Sequence, residues 1–101
     1  MRKAINPPNA PSAIGTYNQG IETDGLVFTS GQVGIDPSTG QLVGGGIDMQ
    51  AAQTLKNIEA ILSSVDIGKD SIAKLTVFVK NLDDFQSVNK AFKNFFNGIE
   101  Y

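Results

Sequence analysis

Few side chains in this 101-residue sequence could carry acid–base or nucleophilic chemistry, because it contains no histidine and no cysteine. Their absence excludes a Ser-His-Asp triad and a thiol nucleophile, and it removes the usual imidazole base and most zinc sites. The adjacent carboxylates of Asp83 and Asp84 resemble an acid–base pair. Neighbouring carboxylates at the start of a helix usually cap it, so we interpret them as capping groups.

The remaining polar candidates have ordinary structural interpretations. Tyr17 could be a sheet tyrosine with a solvated hydroxyl at an interface. Gly31 could mark a bulge that ends a strand, and Asn89 could be a solvated helix residue. No base is encoded near Ser30, which argues against its acting as a nucleophile. Residue types alone therefore name no function.

Composition bounds the class of protein. The length suits a single small domain, with 41% apolar and 18% charged residues. A net charge of −2 and a pI near 4.8 disfavour a nucleic-acid partner, because an acidic surface repels phosphates. No apolar run approaches the ~20 residues that a membrane span needs. We expect a cytoplasmic protein that has no disulfide, no metal, no nucleic-acid partner and no membrane partner.

The first half of the chain reads as a hairpin preceded by an extended loop. Prolines exclude a helix from residues 6–12, and residues 15–22 form a weak strand pattern. The Asp24-Gly25 pair predicts a tight turn into a strand over residues 26–30. Gly34, like Gly31, indicates a bulge or a close backbone approach, and residues 36–40 predict another turn.

The second half predicts two amphipathic helices. Asp48 is expected to cap a helix that runs to about Val65. Asp83 and Gln86 have the spacing of a capping box for a second helix, which Gly98 would stop. The apolar stripes comprise Ala51, Leu55, Ile58, Leu62 and Val65 in the first helix, and Phe85, Val88, Phe92, Phe95 and Phe96 in the second.

Between the helices, residues 72–80 alternate in the manner of a strand. Leu75, Val77 and Val79 share one face, and Phe78 on the other face suggests that both are partly covered. The element order predicts an α+β fold, with two helices on one face of a mixed sheet. The other sheet face, which would carry Leu26 or Phe78, favours self-association.

Several motifs occur in an order that resembles the RidA/YjgF/YER057c/UK114 family. They are Ala-Ile-Gly-Thr-Tyr at 13–17, Ser-Gly-Gln at 30–32, Thr-Val-Phe-Val-Lys at 76–80, and the segment 85–96 with Asn89 inside. The resemblance spans nearly the whole chain. It implies a single chorismate-mutase-like domain over residues 1–101, assembled as a homotrimer with sites between subunits.

The resemblance also implies an activity, the hydrolysis of 2-iminobutanoate and 2-iminopropanoate to 2-oxo acids and ammonia. Such a site anchors a carboxylate, aims a water and supplies a proton, and it needs no cofactor. On this basis Tyr17 would wall the pocket, and Asn89 would contact the ligand. The backbone N–H of Gly31 would approach a substrate oxygen, and Ser30 could donate to the same ligand.

One departure from the family pattern affects the anchor. The family places a carboxylate-binding arginine after the second helix and a glutamate in a later strand, whereas residues 97–101 encode neither, and the only arginine is Arg2. We therefore expect the domain to be incomplete at its C-terminus.

Two alternatives stay open: a non-catalytic module that binds small carboxylates, and the family's older label of endoribonuclease or translation inhibitor, which the acidic charge argues against.

Overall fold

The computed structural model describes residues 1–101 and has the predicted α+β architecture. Its strands are β1 (Lys3–Ile5), β2 (Gly20–Thr23), β3 (Leu26–Thr29), β4 (Ile35–Asp36) and β5 (Gln41–Leu42). Its helices are α1 (Ile47–Ser63) and α2 (Phe85–Phe96), with short 3₁₀ turns at Lys69–Ser71 and Leu82–Asp84. The strands form a three-stranded sheet in the order β1-β2-β3 and a separate β4-β5 pair, and every pairing is antiparallel.

The predicted hairpin is confirmed. Asp24 and Gly25 both adopt positive φ, 51° and 78°, as a tight two-residue hairpin turn requires. Thr23 then lies opposite Leu26, and Gly20 opposite Thr29. The strand predicted over 15–22 begins only at Gly20, because side chains occupy the hydrogen-bonding groups just before it. Strand β1 was not predicted, since a three-residue segment shows no readable periodicity.

Helix α1 packs on this sheet through a small apolar core. Ile5, Ala10 and Ile61 are buried together, and Val27 from β3 and Ala60 pack around them. The opposite side of β3 is bare: Leu26 and Phe28 are 60% and 59% exposed. The sheet therefore has one covered face and one open face, which exposes apolar surface.

Both predicted helix caps were wrong in detail. Helix α1 begins one residue before Asp48, after Gly46 at φ 81°, so the Asp48 carboxylate lies in the first turn and caps nothing. At that position its negative charge still interacts favourably with the helix dipole. The second helical region is capped earlier than predicted, because Asn81 accepts a 3.0 Å hydrogen bond from the Asp83 N–H. Helix α2 ends at Phe96, and its C-cap is Asn97 with a left-handed φ of 46°, one residue before the Gly98 that was expected to stop the helix.

The predicted strand at residues 72–80 was also wrong. No backbone N–H or C=O of residues 73–80 makes a backbone hydrogen bond, since no other segment lies alongside. Burial follows the predicted faces only in part: Leu75 and Val79 are half-buried and Phe78 is 92% exposed, but Val77, predicted on the face of Leu75 and Val79, is exposed as well. The expectation that the Phe78 face is covered does not hold in this chain. Residues 73–80 therefore have the sequence pattern of a strand, but without a neighbouring strand they form an extended segment outside any sheet.

Helix α2 packs beside α1. Val88 and Phe96 of its predicted stripe are buried, but Phe85 is exposed because it lies at the first turn beyond the packed surface. Lys69, in the 3₁₀ turn Lys69–Ser71, contacts the C-terminal end of α2. Its Nζ donates a 2.7 Å hydrogen bond to the Phe95 carbonyl and lies 4.6 Å from the centroid of that ring.

Candidate functional site

The segment that carries Tyr17 is fixed by the residue two positions after it. Gln19 is 3% exposed, and its side-chain Nε2 donates to the carbonyls of Ala10 and Pro11 at 3.0 and 2.6 Å. Its backbone carbonyl accepts from the Ser30 N–H at 2.9 Å. These bonds tie the proline-containing loop and the end of β3 to one buried residue.

Ser30 lies directly across from this residue. Its hydroxyl donates a 2.5 Å hydrogen bond to the Asn18 carbonyl, which cannot itself be a donor. The proton of Ser30 is thereby committed within the chain. Its oxygen keeps lone pairs that can accept from a ligand, so the expected donation by Ser30 to a substrate is not the arrangement found here.

Tyr17 is itself lightly held. The residue is 49% exposed, and its hydroxyl accepts a 3.3 Å hydrogen bond from the Ile14 N–H. The phenolic proton remains free to be donated to a ligand or a water. The structure thus places Tyr17 and Ser30 on neighbouring stretches of one hydrogen-bonded unit.

Gly31 presents an unobstructed backbone. Its N–H donates no hydrogen bond within the chain, and a Cβ atom built on it would meet nothing within 4 Å. The backbone beyond it is held firmly. Asn57, buried on α1, donates to the carbonyls of Val33 and Ile35 at 3.1 and 2.9 Å. The free N–H therefore lies between two anchored points, Ser30 and the loop that begins at Val33.

Gly34 shows the close approach that the sequence predicted. A Cβ atom there would lie 2.7 Å from the Gln50 Cα and 2.8 Å from its carbonyl oxygen. The loop can contact α1 only because this position has no side chain.

Asn89 is not brought to this unit within one chain. It is exposed on α2 and lines a cavity of about 350 Å³ with Lys93, Phe96 and Tyr101 among its neighbours. Tyr17, Ser30 and Gly31 are absent from that cavity. The four predicted site residues therefore form two separate groups, one of three residues and one of Asn89 alone.

Ionisable groups contribute little to this surface. No cluster of three His, Cys, Asp or Glu residues could hold a metal ion. The side chain and then the backbone N–H of Ser38 donate to Asp36 and hold the pKa of that carboxyl below its ordinary value. Asp36 is the last residue of β4, and these bonds fix the start of the turn to β5. Neither helix combines the length and the apolar character that crossing a membrane would require.

Sequence reasoning missed the amides that build the site. Most of the bonds described above are made by four amide side chains, those of Asn6, Asn18, Gln19 and Asn57. Only for Asn57 could burial have been predicted, because it is a polar residue among the apolar residues of α1. Loop amides carry no periodic signal, because their partners lie far along the chain.

Comparison with known proteins places the chain in a family. A model of the family described as Endoribonuclease L-PSP matches residues 7–101. A mouse protein named 2-iminobutanoate/2-iminopropanoate deaminase is 43% identical over 98 residues, which are 97% of this chain and 73% of that protein.

Solved structures give the same result. The Rid-family protein YyfA of Yersinia pestis has a TM-score of 0.96 at 40% identity, covering 100% of this chain and 80% of that one. The Escherichia coli protein TdcF, solved with bound serine, has a TM-score of 0.92 at 38% identity, covering 98% and 79% respectively. The chain therefore belongs to the Endoribonuclease L-PSP family, the RidA/YjgF/YER057c/UK114 family that its motifs resemble.

Proposed function

We propose that this protein hydrolyses 2-iminobutanoate and 2-iminopropanoate to the corresponding 2-oxo acids and ammonia, as a cytoplasmic homotrimer. Water adds to the imine carbon, the carbon–nitrogen bond then breaks, and the nitrogen leaves as ammonia after gaining protons. The observation that carries the proposal is similarity at 41–45% identity, over nearly the whole chain, to mouse, human and Salmonella proteins that are named for this reaction.

The geometry around Tyr17 suits such a reaction. The reaction requires donors and acceptors that orient a water and a small polar acid, and it requires no covalent nucleophile. The Tyr17 hydroxyl can donate, the Ser30 oxygen can accept, and the free Gly31 N–H can bind an oxo or carboxylate oxygen. We assign these three residues to substrate binding.

A neighbouring subunit would complete the site. Asn89 lines a different cavity from the other three residues, so we infer that they meet across a subunit boundary. The bare face of the sheet supplies apolar surface for such an assembly, with Leu26 and Phe28 both more than half exposed, and the unpaired segment 73–80 adds the exposed Phe78. Burying that face among three copies would remove it from water.

The proposed site also needs a group that binds the carboxylate of the substrate. A guanidinium binds a carboxylate through two parallel hydrogen bonds, which a lysine does not reproduce. We propose that this group lies outside residues 1–101, in chain that also pairs with the free backbone of residues 73–80. Native and denatured mass spectra of the protein from its natural source test this. A subunit heavier than 10.7 kDa that assembles as a trimer supports it, and a monomer of 10.7 kDa contradicts it.

The activity itself is tested by generating the imine in situ from threonine with a pyridoxal-phosphate-dependent dehydratase. Formation of 2-oxobutanoate and ammonia is followed with and without the protein. Acceleration above the uncatalysed rate, reduced by at least ~10-fold in Tyr17→Ala, is the expected result. A folded protein that gives no acceleration would refute the proposal.

A second candidate is a module that binds small amino or oxo acids without turnover. The observation that favours it is the serine bound in the structure of the related Escherichia coli protein TdcF. Calorimetric titration with serine and with 2-oxobutanoate separates the two. Binding that Tyr17→Ala weakens, together with no hydrolysis, would identify this function instead.

A further inference from the structure

Asn6 lies where the backbone ladder between β1 and β2 stops. The last paired residues are Ile5 and Gly20, so Asn6 would next face Gln19. Pro7 follows immediately and has no N–H to donate. The Asn6 side chain replaces the missing ladder: its Oδ1 accepts from the Gln19 N–H at 2.9 Å.

The same side chain makes a second bond to the next residue. Its Nδ2 donates to the Asn18 Oδ1 at 2.7 Å. Asn6 therefore uses both ends of its amide on consecutive residues, 18 and 19, that directly follow Tyr17. On the other side of this pair, the Ser30 N–H and hydroxyl bond to the carbonyls of Gln19 and Asn18.

Tyr17 has no comparable support of its own. Its single polar contact is the 3.3 Å hydrogen bond from Ile14, and the residue is half exposed. The position of its hydroxyl relative to Ser30 must then depend on the backbone of residues 18 and 19. One side of that backbone is fixed by Ser30 and the other by Asn6.

We propose that Asn6 is a positioning residue of the imine-hydrolysing site. Its two hydrogen bonds clamp residues 18 and 19, so that Tyr17 and Ser30 contact the same substrate molecule. The inference rests on the proposed function, because it concerns the geometry of that site. Catalytic rates depend strongly on such alignment, since a displacement of ~1 Å can cost about 100-fold. Loosening one side of the clamp is a milder change.

The test compares Asn6→Ala with Asn81→Ala in the purified protein. Both variants delete an exposed asparagine whose Oδ1 accepts a hydrogen bond from a backbone N–H. The bond of Asn6 holds Gln19 beside the proposed site, whereas the bond of Asn81 caps the turn before α2. Similar losses of melting temperature are expected for both. Only Asn6→Ala should lower kcat, by about 10-fold with little change in KM. Equal rates for the two variants would overturn the assignment.

Two further variants exclude a merely structural role. Asn6→Asp keeps the acceptor for the Gln19 N–H, and Asn18 can rotate its amide to donate to the new carboxylate, so most of the rate should return. In a Tyr17→Ala background, Asn6→Ala should have little additional effect, because the two act as one unit. A full additional 10-fold loss there would show that Asn6 acts elsewhere.

The two proposals fail differently. If the wild-type protein hydrolyses imine and Asn6→Ala does so equally well, only the positioning role is refuted. If the wild-type protein is inactive, the proposed function is refuted, and titration of wild type and Asn6→Ala with 2-oxobutanoate decides whether Asn6 organises a binding surface. Equal affinities, or no binding by either, would refute the positioning role as well.

Discussion

Two segments of this chain have the sequence pattern of β-strands, and only one forms a ladder. Residues 20–29 contain both strands and the turn that joins them, so each strand's partner is supplied locally. Residues 73–80 also have a strand pattern, with Leu75, Val77 and Val79 at alternate positions, yet none of their backbone groups is paired. A strand pattern is therefore not sufficient by itself, because a neighbouring strand determines whether a strand exists.

Hydrogen exchange should show the largest difference between these segments. In the monomeric 101-residue chain, the paired amides of β2 and β3 should be protected by on the order of 1,000-fold more than those of residues 73–80. Comparable protection in both would mean that residues 73–80 have found a partner. In the protein from its natural source, new protection there would show that another segment pairs with residues 73–80.

Core truncation should separate the two regions nearly as sharply. Ile61 is fully buried against the sheet, so Ile61→Ala should lower the free energy of unfolding by about 3 kcal/mol. Val77→Ala, in the unpaired segment, should change it by less than ~0.5 kcal/mol in the monomeric chain. Urea titration measures both. A similar loss from the two substitutions would contradict the difference in packing.

Glycine substitutions test how tightly the site loop is anchored. Gly34→Ala places a methyl against the backbone of Gln50 and should cost about 2 kcal/mol of stability. Gly31→Ala meets open space, and its stability should change by less than ~0.5 kcal/mol. Tolerance of both would show that the loop moves away from α1.

The smallest expected effect concerns the β4–β5 turn. The pKa of Asp36 is lowered by hydrogen bonds from Ser38, so this contribution to stability is present above the unfolded pKa of about 3.9 and disappears as pH falls through the folded pKa. Ser38→Ala should therefore lower the melting temperature slightly at pH 7, and the difference should shrink as the pH falls through the folded pKa. A difference that stays constant as the pH is lowered would assign the effect to something other than the ionised carboxylate.

The same contrast explains what the sequence could predict. The hairpin turn at Asp24-Gly25 depends on residues close in sequence and was predicted correctly. Both helices and most of their apolar stripes were also predicted, but the stripe of α1 left out the fully buried Ile61, and that of α2 included the exposed Phe85. The close approach at Gly34 was also predicted, because glycine has a limited set of structural roles.

The missed features depend on partners distant in sequence. The bonds of Asn6 to residues 18 and 19 span 12 and 13 positions, and those of Asn57 to the loop span 22 and 24. No local pattern encodes such pairs. The predicted site residues Tyr17, Ser30 and Gly31 came from the family resemblance, and their grouping with Asn89 remains a prediction about the assembled protein.

The most direct test of the central claim is the rate of 2-oxobutanoate and ammonia formation from freshly generated 2-iminobutanoate. The wild-type protein is expected to accelerate it, Tyr17→Ala to lose at least ~10-fold, and Asn81→Ala to retain the wild-type rate. Equal rates with wild-type protein, with Tyr17→Ala and without protein, from samples shown to be folded, would contradict the claim.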